Sequence, residues 1–216
     1  MKISTLIGLV SILMFHSACN NQAIEQEEDT VIKTDTTTQA NHVQPETDTV
    51  LKKLEFNNIT FHTHTEGTGS IKNLIIQTNG LENDQEVELK LEGELTDSVV
   101  TDLNSDGFPE LVLFTQSAGS GSYGNVIAFS VNKGKSMSQV YFPPVNENVK
   151  MKEGYMGHDR FFVQNSRLVH EFPIYKNTDP NTDPTGGTRR IEYKLADGEA
   201  SRKFVVDKIS ELPEKN

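Results

Sequence analysis

Alternating apolar and polar positions run through most of the chain after residue 50. Leu54–Phe56 and Ile59–Phe61 alternate in this way, and residues 87–92 repeat the pattern with glutamate and lysine between valine and leucine. A period of two predicts strands that bury one face and expose the other. The pair Asn79-Gly80 predicts a turn between two such strands.

Further segments are continuously apolar or rich in β-branched and aromatic residues, which also favours strands. No segment after residue 50 shows a long helical period. We therefore predict an all-β domain, a single antiparallel β-sandwich or flattened barrel with short helical turns. The additional predicted strands lie at 74–76, 110–115, 125–131, 139–142, 160–163, 168–172, 190–195 and 203–206.

The first residues have the pattern of an export signal. Lys2 precedes a largely apolar run from Ile3 to Phe15, which is too short to span a bilayer as a mature helix. His16-Ser-Ala-Cys19 then resembles a bacterial lipobox, with His16 in place of an aliphatic residue. We predict a lipoprotein-type signal peptide over 1–18 and a lipid on Cys19; ordinary cleavage with a spare thiol is the alternative.

Residues 19–50 form a different kind of segment. They hold repeated threonine and glutamine, few aromatic residues and more acidic than basic side chains. Such a composition predicts a disordered acidic tether after the lipidated Cys19, followed by one domain over 51–216. Asn20 is not the aspartate that retains many lipoproteins at the inner membrane, so we expect an outer-membrane lipoprotein facing the periplasm.

The net charge of −11 argues against nucleic acid as a partner and favours a basic one. Exposed edge strands also permit pairing with a second copy into a homodimer.

The segment Ser117–Gly124 is the most distinctive part of the predicted domain. It combines glycine and serine with the single aromatic Tyr123, and it lies between two strongly apolar strands. We predict a protruding glycine-rich loop on a rigid sheet, which displays the tyrosine to a partner.

Residues 102–110 carry oxygen side chains at alternate positions and a glycine where the chain turns. This spacing is typical of calcium loops, although the acidic residue that closes an EF-hand loop is missing. The alternative is a tight turn in which the Asp and Asn side chains bond to their own backbone. The candidate calcium ligands are Asp102, Asn104, Asp106 and Glu110.

Catalytic motifs are not supported. Ser120 and Ser122 lack the flanking glycines of a nucleophile elbow, and phosphate-binding and dinucleotide-binding glycine patterns are missing. His158, Asp159 and His170 have no nucleophile at a recognisable spacing, and we interpret them as structural. We predict that the protein is not an enzyme and needs no cofactor, with calcium as the one alternative.

Several segments together resemble the bacterial periplasmic inhibitors of invertebrate-type (i-type) lysozyme. The resemblance rests on Ser120–Tyr123, preceded by the 102–111 segment and followed by 154–159 and 184–189. It covers residues 51–206 and implies a protein that inhibits lysozyme in the bacterial envelope and protects the cell wall from host defence.

The resemblance also implies which residues act. In that family a serine and a tyrosine three residues later enter the lysozyme cleft, and these are Ser120 and Tyr123 here. Gly119, Gly121 and Gly124 would let the loop turn tightly. A second contact segment would comprise Thr185, Gly186, Gly187, Thr188 and Arg189, for which a simple hairpin turn is the alternative.

Two other functions remain from the residues alone. One is a calcium-stabilised envelope module that binds glycan or protein through the 102–110 loop. The other, an envelope hydrolase using His158 and Asp159, ranks last.

Overall fold

The computed structural model describes residues 52–213, which belong to one compact unit. The predicted signal peptide, the lipid site at Cys19 and the tether lie outside the described residues. Within the described part, no helix is both long and apolar enough to cross a membrane.

Within residues 52–213, twelve antiparallel strands form three four-stranded sheets of consecutive strands, so the all-β prediction is confirmed. The first sheet contains β1 (Lys52–Phe56), β2 (Ile59–Glu66), β3 (Ile71–Asn79) and β4 (Glu86–Glu92). The second contains β5 (Glu94–Thr101), β6 (Glu110–Gln116), β7 (Gly124–Val131) and β8 (Met137–Val140). The third contains β9 (Arg160–Gln164), β10 (Arg167–Pro173), β11 (Thr188–Ala196) and β12 (Lys203–Leu212).

The second sheet is the central layer because its strands are apolar on both faces. Leu111 and Leu113 of β6 pack into one core with the first sheet, whereas Val112 and Phe114 pack into another core with the third sheet. Successive side chains of a strand point to opposite faces, so the continuous apolar run of β6 fits burial on both sides. The sandwich therefore has three layers.

Two details differ from the sequence prediction. Strand β5 was not predicted, because a bulge between Leu95 and Asp97 interrupts its alternation. The strand predicted at 139–142 is shifted: β8 ends at Val140, and Tyr141 forms an isolated parallel bridge with Lys203. The following residues form a short 3-10 turn, Val145–Glu147, and the four-residue helix α1 (Val149–Lys152).

Candidate functional site

The glycine-rich loop is the connection between β6 and β7, two central strands with buried backbones. Its ends are joined by a hydrogen bond from the Ser117 amide to the Tyr123 carbonyl (2.8 Å) and by one from the Tyr123 amide to Ser117 Oγ (3.0 Å). The Ser122 amide donates to the Gly119 carbonyl (2.9 Å), which closes the tip. The loop is thus a defined turn on the end of a rigid hairpin.

The two predicted contact side chains lie at the surface of this turn. Tyr123 is 49% exposed, and Ser120 is also exposed. Within residues 52–213 the Ser120 hydroxyl makes no hydrogen bond, whereas the Ser122 hydroxyl accepts one from Gln116 Nε2 at 3.0 Å. The structure therefore separates the two serines: Ser122 holds the loop, and Ser120 keeps its hydroxyl free.

Two of the three loop glycines are required by close contacts, and none of the three has a left-handed backbone conformation. The left-handed residue in the turn is Ser122, with φ of 46°. A Cβ on Gly121 would lie 2.4 Å from the ring of Tyr123, and one on Gly124 would lie 2.8 Å from Cβ of Asp159. A Cβ on Gly119 would meet no atom within 4 Å. Gly121 and Gly124 thus permit tight packing within and beneath the loop.

A second segment, residues 154–158, packs against the side of the loop, and we call it the clamp. The His158 amide donates to the Gly121 carbonyl at 2.6 Å. Gly157 has φ of 88°, and a Cβ there would come within 2.1 Å of that same carbonyl oxygen, so only glycine fits. Tyr155 meets the Tyr123 ring edge-on, with centroids 5.9 Å apart. Sequence reasoning did not identify this clamp.

Asp159 lies directly beneath the loop, and its side chain is fully buried. Its Oδ2 accepts hydrogen bonds from the Gly124 amide (2.8 Å) and from the Tyr155 hydroxyl (2.8 Å), and its Oδ1 lies 2.5 Å from His170 Nε2. Burial, together with the Asp159 carboxylate, raises the pKa of Tyr155 well above its ordinary value, which keeps this hydroxyl a donor. His170 is fully buried and stacks on Phe161 at 4.1 Å.

The predicted second contact segment, residues 185–189, is linked to residues 154–158 through Ile174 and Tyr175. The Gly186 amide donates to the Ile174 carbonyl (2.9 Å), and the adjacent Tyr175 amide donates to the Gly154 carbonyl (2.9 Å). Thr185 is exposed and fixed by Asp179, which accepts from both its amide (2.8 Å) and its hydroxyl (2.9 Å). The structure thus brings the two predicted contact segments together through residues 154–158.

Arg189, the last residue of the predicted second contact segment, is bonded inside the protein. It lies in β11 after Thr188, faces inward, and is only 4% exposed. Its guanidinium donates to the carbonyl oxygens of Met151 and Glu153 and pairs with Glu211 at 2.7 Å. The guanidinium group therefore makes its hydrogen bonds within the protein, and these bonds connect α1 to the third sheet.

The candidate calcium loop is closed by its own groups. Asp102 accepts from the amides of Asp106 (3.2 Å) and Gly107 (2.8 Å), and Asn104 accepts from the Asp106 amide at 3.1 Å. Glu110 is buried and accepts from the Leu103 amide (2.8 Å) and the Ser130 hydroxyl (2.6 Å).

The guanidinium group of Arg202 pairs with two of these carboxylates. Arg202 lies 2.5 Å from Asp106 and 3.5 Å from Glu110. Within residues 52–213 no group of three His, Cys, Asp or Glu side chains is arranged to hold a metal ion. The geometry supports the alternative considered for this loop, a turn stabilised by side chains bonded to backbone.

Comparison with known proteins identifies one family. Residues 67–151 match the model of the family described as periplasmic lysozyme inhibitor of I-type lysozyme. The match contains β6, the glycine-rich loop and β7, so the resemblance is confirmed over this segment. No curated protein and no solved structure matches the chain. The clamp at 154–158 and Asp159 lie beyond the matched segment.

Proposed function

We propose that this protein inhibits lysozyme, of the i-type, by inserting the loop between β6 and β7 into the active-site cleft of the enzyme. The match over residues 67–151 supports an inhibitor of this class. The observation that carries the mechanism is the loop itself: hydrogen bonds fix its backbone at both ends and at the tip, while the Ser120 side chain and one side of the Tyr123 ring face solvent.

The chemistry of a lysozyme cleft suits these two side chains. Lysozymes place two carboxyl groups on either side of the scissile bond, in a groove shaped for sugar rings. The Ser120 hydroxyl would donate to one of those carboxylates, and the Tyr123 ring would occupy a sugar position with its hydroxyl in reach of a polar partner. Inhibition is then competitive, and no bond is made or broken.

The contact surface extends from the loop onto the clamp. Met156 is 41% exposed and precedes Gly157, whose backbone lies under the Tyr123 ring. Among residues 52–213 only six large apolar side chains are exposed, and two of them, Tyr123 and Met156, lie on segments joined by the hydrogen bond from the His158 amide to the Gly121 carbonyl. Such a patch is typical of a recognition surface. The 185–187 segment borders it through Ile174 and Tyr175.

The experiment is a lysis assay with cell walls and three enzymes: i-type, chicken-type and goose-type lysozyme. We expect the purified full-length protein to protect walls from the i-type enzyme at near-stoichiometric concentration and to protect much less from the other two. Normal lysis by all three enzymes at excess protein would refute the function. Protection that rises as the substrate is diluted distinguishes competitive from non-competitive inhibition.

We also propose that the protein acts in the periplasm, held to the outer membrane through a lipid on Cys19. The family description supports a periplasmic location. A Cys19→Ser variant should leave the membrane fraction and appear in the soluble periplasmic extract, whereas a control Ser17→Ala variant should stay membrane-bound. Equal partition of the wild type and Cys19→Ser would contradict the anchor.

A further inference from the structure

We infer that Asp159 is the positioning residue of the inhibitory loop. This inference rests on the proposed function for its consequence, but its structural part concerns the free protein. Asp159 lies 35 residues after Gly124 and outside the segment that matches the inhibitor family. Its side chain nevertheless binds the backbone at the base of the loop.

The fully buried carboxylate of Asp159 has three hydrogen-bond partners. They are the Gly124 amide and the Tyr155 hydroxyl on Oδ2, and the His170 ring on Oδ1. A buried carboxylate depends on such donors, because a lost hydrogen bond leaves a desolvated oxygen unpaired. The Gly124 amide is the donor that belongs to the loop.

His170 faces the same carboxylate with one ring nitrogen. Nε2 lies 2.5 Å from Asp159 Oδ1, while Nδ1 is buried and has no hydrogen-bond partner among residues 52–213. A proton on Nε2 makes the ring a donor to the carboxylate and leaves only a lone pair at the buried Nδ1.

Two ties from neighbouring residues fix the loop on either side of Tyr123. Asp159 holds the Gly124 amide, and the His158 amide holds the Gly121 carbonyl at 2.6 Å. Moving the loop away would strip the buried carboxylate of one of its donors. The position of Tyr123 is thus coupled to the hydrogen bonds of the Asp159 carboxylate beneath the loop.

This coupling makes the loop ready for binding. A loop that is already ordered loses less freedom when a partner closes around it. If the anchor is removed, only a fraction of molecules holds the competent conformation, and the apparent dissociation constant rises by the inverse of that fraction. Asp159 contributes in this way without touching the enzyme.

The test uses the full-length protein with Asp159→Ala, and Gly124→Ala as an independent change that displaces the same amide by steric contact. Hydrogen exchange of the loop amides is followed in the free protein, and inhibition of i-type lysozyme is titrated. We expect Gly124 in Asp159→Ala, and residues 121–123 in both variants, to exchange faster. We expect inhibition about tenfold weaker, as for a loop that is competent in about a tenth of molecules.

A double-mutant cycle separates positioning from general destabilisation. In a Tyr123→Ala background, Asp159→Ala should weaken inhibition less than it does in the wild type, because only the Ser120 contact then still depends on the position of the loop. Leu74→Ala, in the core between the first and second sheets, serves as the control: it should lower the melting temperature but leave loop exchange and inhibition unchanged.

Each outcome decides the inference. Unchanged exchange in both Asp159→Ala and Gly124→Ala overturns it, and so does a fully additive cycle. If Asp159→Ala does not fold, Gly124→Ala decides the matter alone. If the wild type inhibits no lysozyme, the proposed function fails, while the exchange measurement still determines whether Asp159 positions the loop.

Discussion

Two loops flank strand β6, one before it and one after it, and they differ in what their polar side chains bind. At its start, the loop of residues 102–109 bonds its Asp and Asn side chains to its own backbone and to Arg202. At its end, the loop of residues 117–123 is held by its backbone, by the hydroxyls of Ser117 and Ser122 and by Asp159. The Ser120 side chain is exposed, and the Tyr123 ring is half exposed. Both loops contain glycine, serine and other polar residues.

The difference shows that composition does not tell whether a polar loop serves stability or recognition. What decides is whether its polar side chains already have partners inside the protein. A satisfied loop stabilises the fold and offers little to another molecule, whereas a loop with a fixed backbone and free side chains is prepared for binding.

The largest expected effect is on the first loop. Arg202→Met should lower the free energy of unfolding by about 3 kcal/mol at pH 7, since it leaves the buried Glu110 without a cation. Inhibition by correctly folded protein should not change. Chemical unfolding and the lysis assay measure the two quantities on one sample.

The effect of Arg202→Met should depend on pH. Burial raises the pKa of Glu110 above its ordinary value of 4.5, while Arg202 opposes the shift. The stabilising contribution of a carboxyl with a raised pKa is complete below that ordinary value and is lost as pH rises through the folded pKa. The loss caused by Arg202→Met should thus be smaller at pH 5 than at pH 7, and an equal loss would contradict the pairing.

The second loop should show the opposite behaviour when Tyr123 is truncated. Tyr123→Ala should weaken inhibition about 30-fold, equivalent to about 2 kcal/mol for a central aromatic contact, with little change in melting temperature. Tyr141→Ala is the matched control, because Tyr141 is 51% exposed and lies beyond β8. Equal effects of the two variants would mean that exposure, not position, explains the loss.

Ser120→Ala should weaken inhibition about tenfold, as expected for one hydrogen bond to a carboxylate worth about 1.5 kcal/mol. Ser105 provides the control, since it is an exposed serine in the loop at the other end of β6. Ser105→Ala should leave inhibition unchanged. A loss of inhibition in Ser105→Ala as large as in Ser120→Ala would remove the distinction between the two loops.

The smallest expected effect concerns the rim of the surface. Met156→Ser should weaken inhibition about threefold, because a rim side chain contributes less than about 1 kcal/mol. Val149→Ser changes an exposed apolar residue of α1 and should have no effect. If Met156→Ser also has none, the contact is confined to the loop itself.

The alternation of apolar and polar residues predicted most strands but not their layering. The apolar run of β6 indicated a strand, and its two-sided burial requires a third sheet whose position no local pattern specifies. Arg189 is the reverse case: it shares its face of β11 with Ile191 and Tyr193, so the period of two already indicated that it points inward.

The residues at the tip of the loop could be predicted from the sequence, whereas the residues that hold the loop in place could not. Ser120 and Tyr123 belong to one short segment with a distinctive composition. The Gly124 amide and Asp159 meet only because the third sheet packs against the central one, a contact across 35 residues that leaves no periodic signal. The two glycines at 154 and 157, both left-handed, were the one local sign of a constrained turn there.

The most direct test of the central claim is competition between the protein and an oligomer of N-acetylglucosamine that fills the lysozyme cleft. Binding of the protein to i-type lysozyme is titrated at increasing sugar concentration. Our account predicts that the apparent dissociation constant rises linearly with the concentration of free sugar and reaches no plateau, as it must when the two ligands exclude each other. An apparent dissociation constant that does not change with sugar would place the contact outside the cleft and contradict the account.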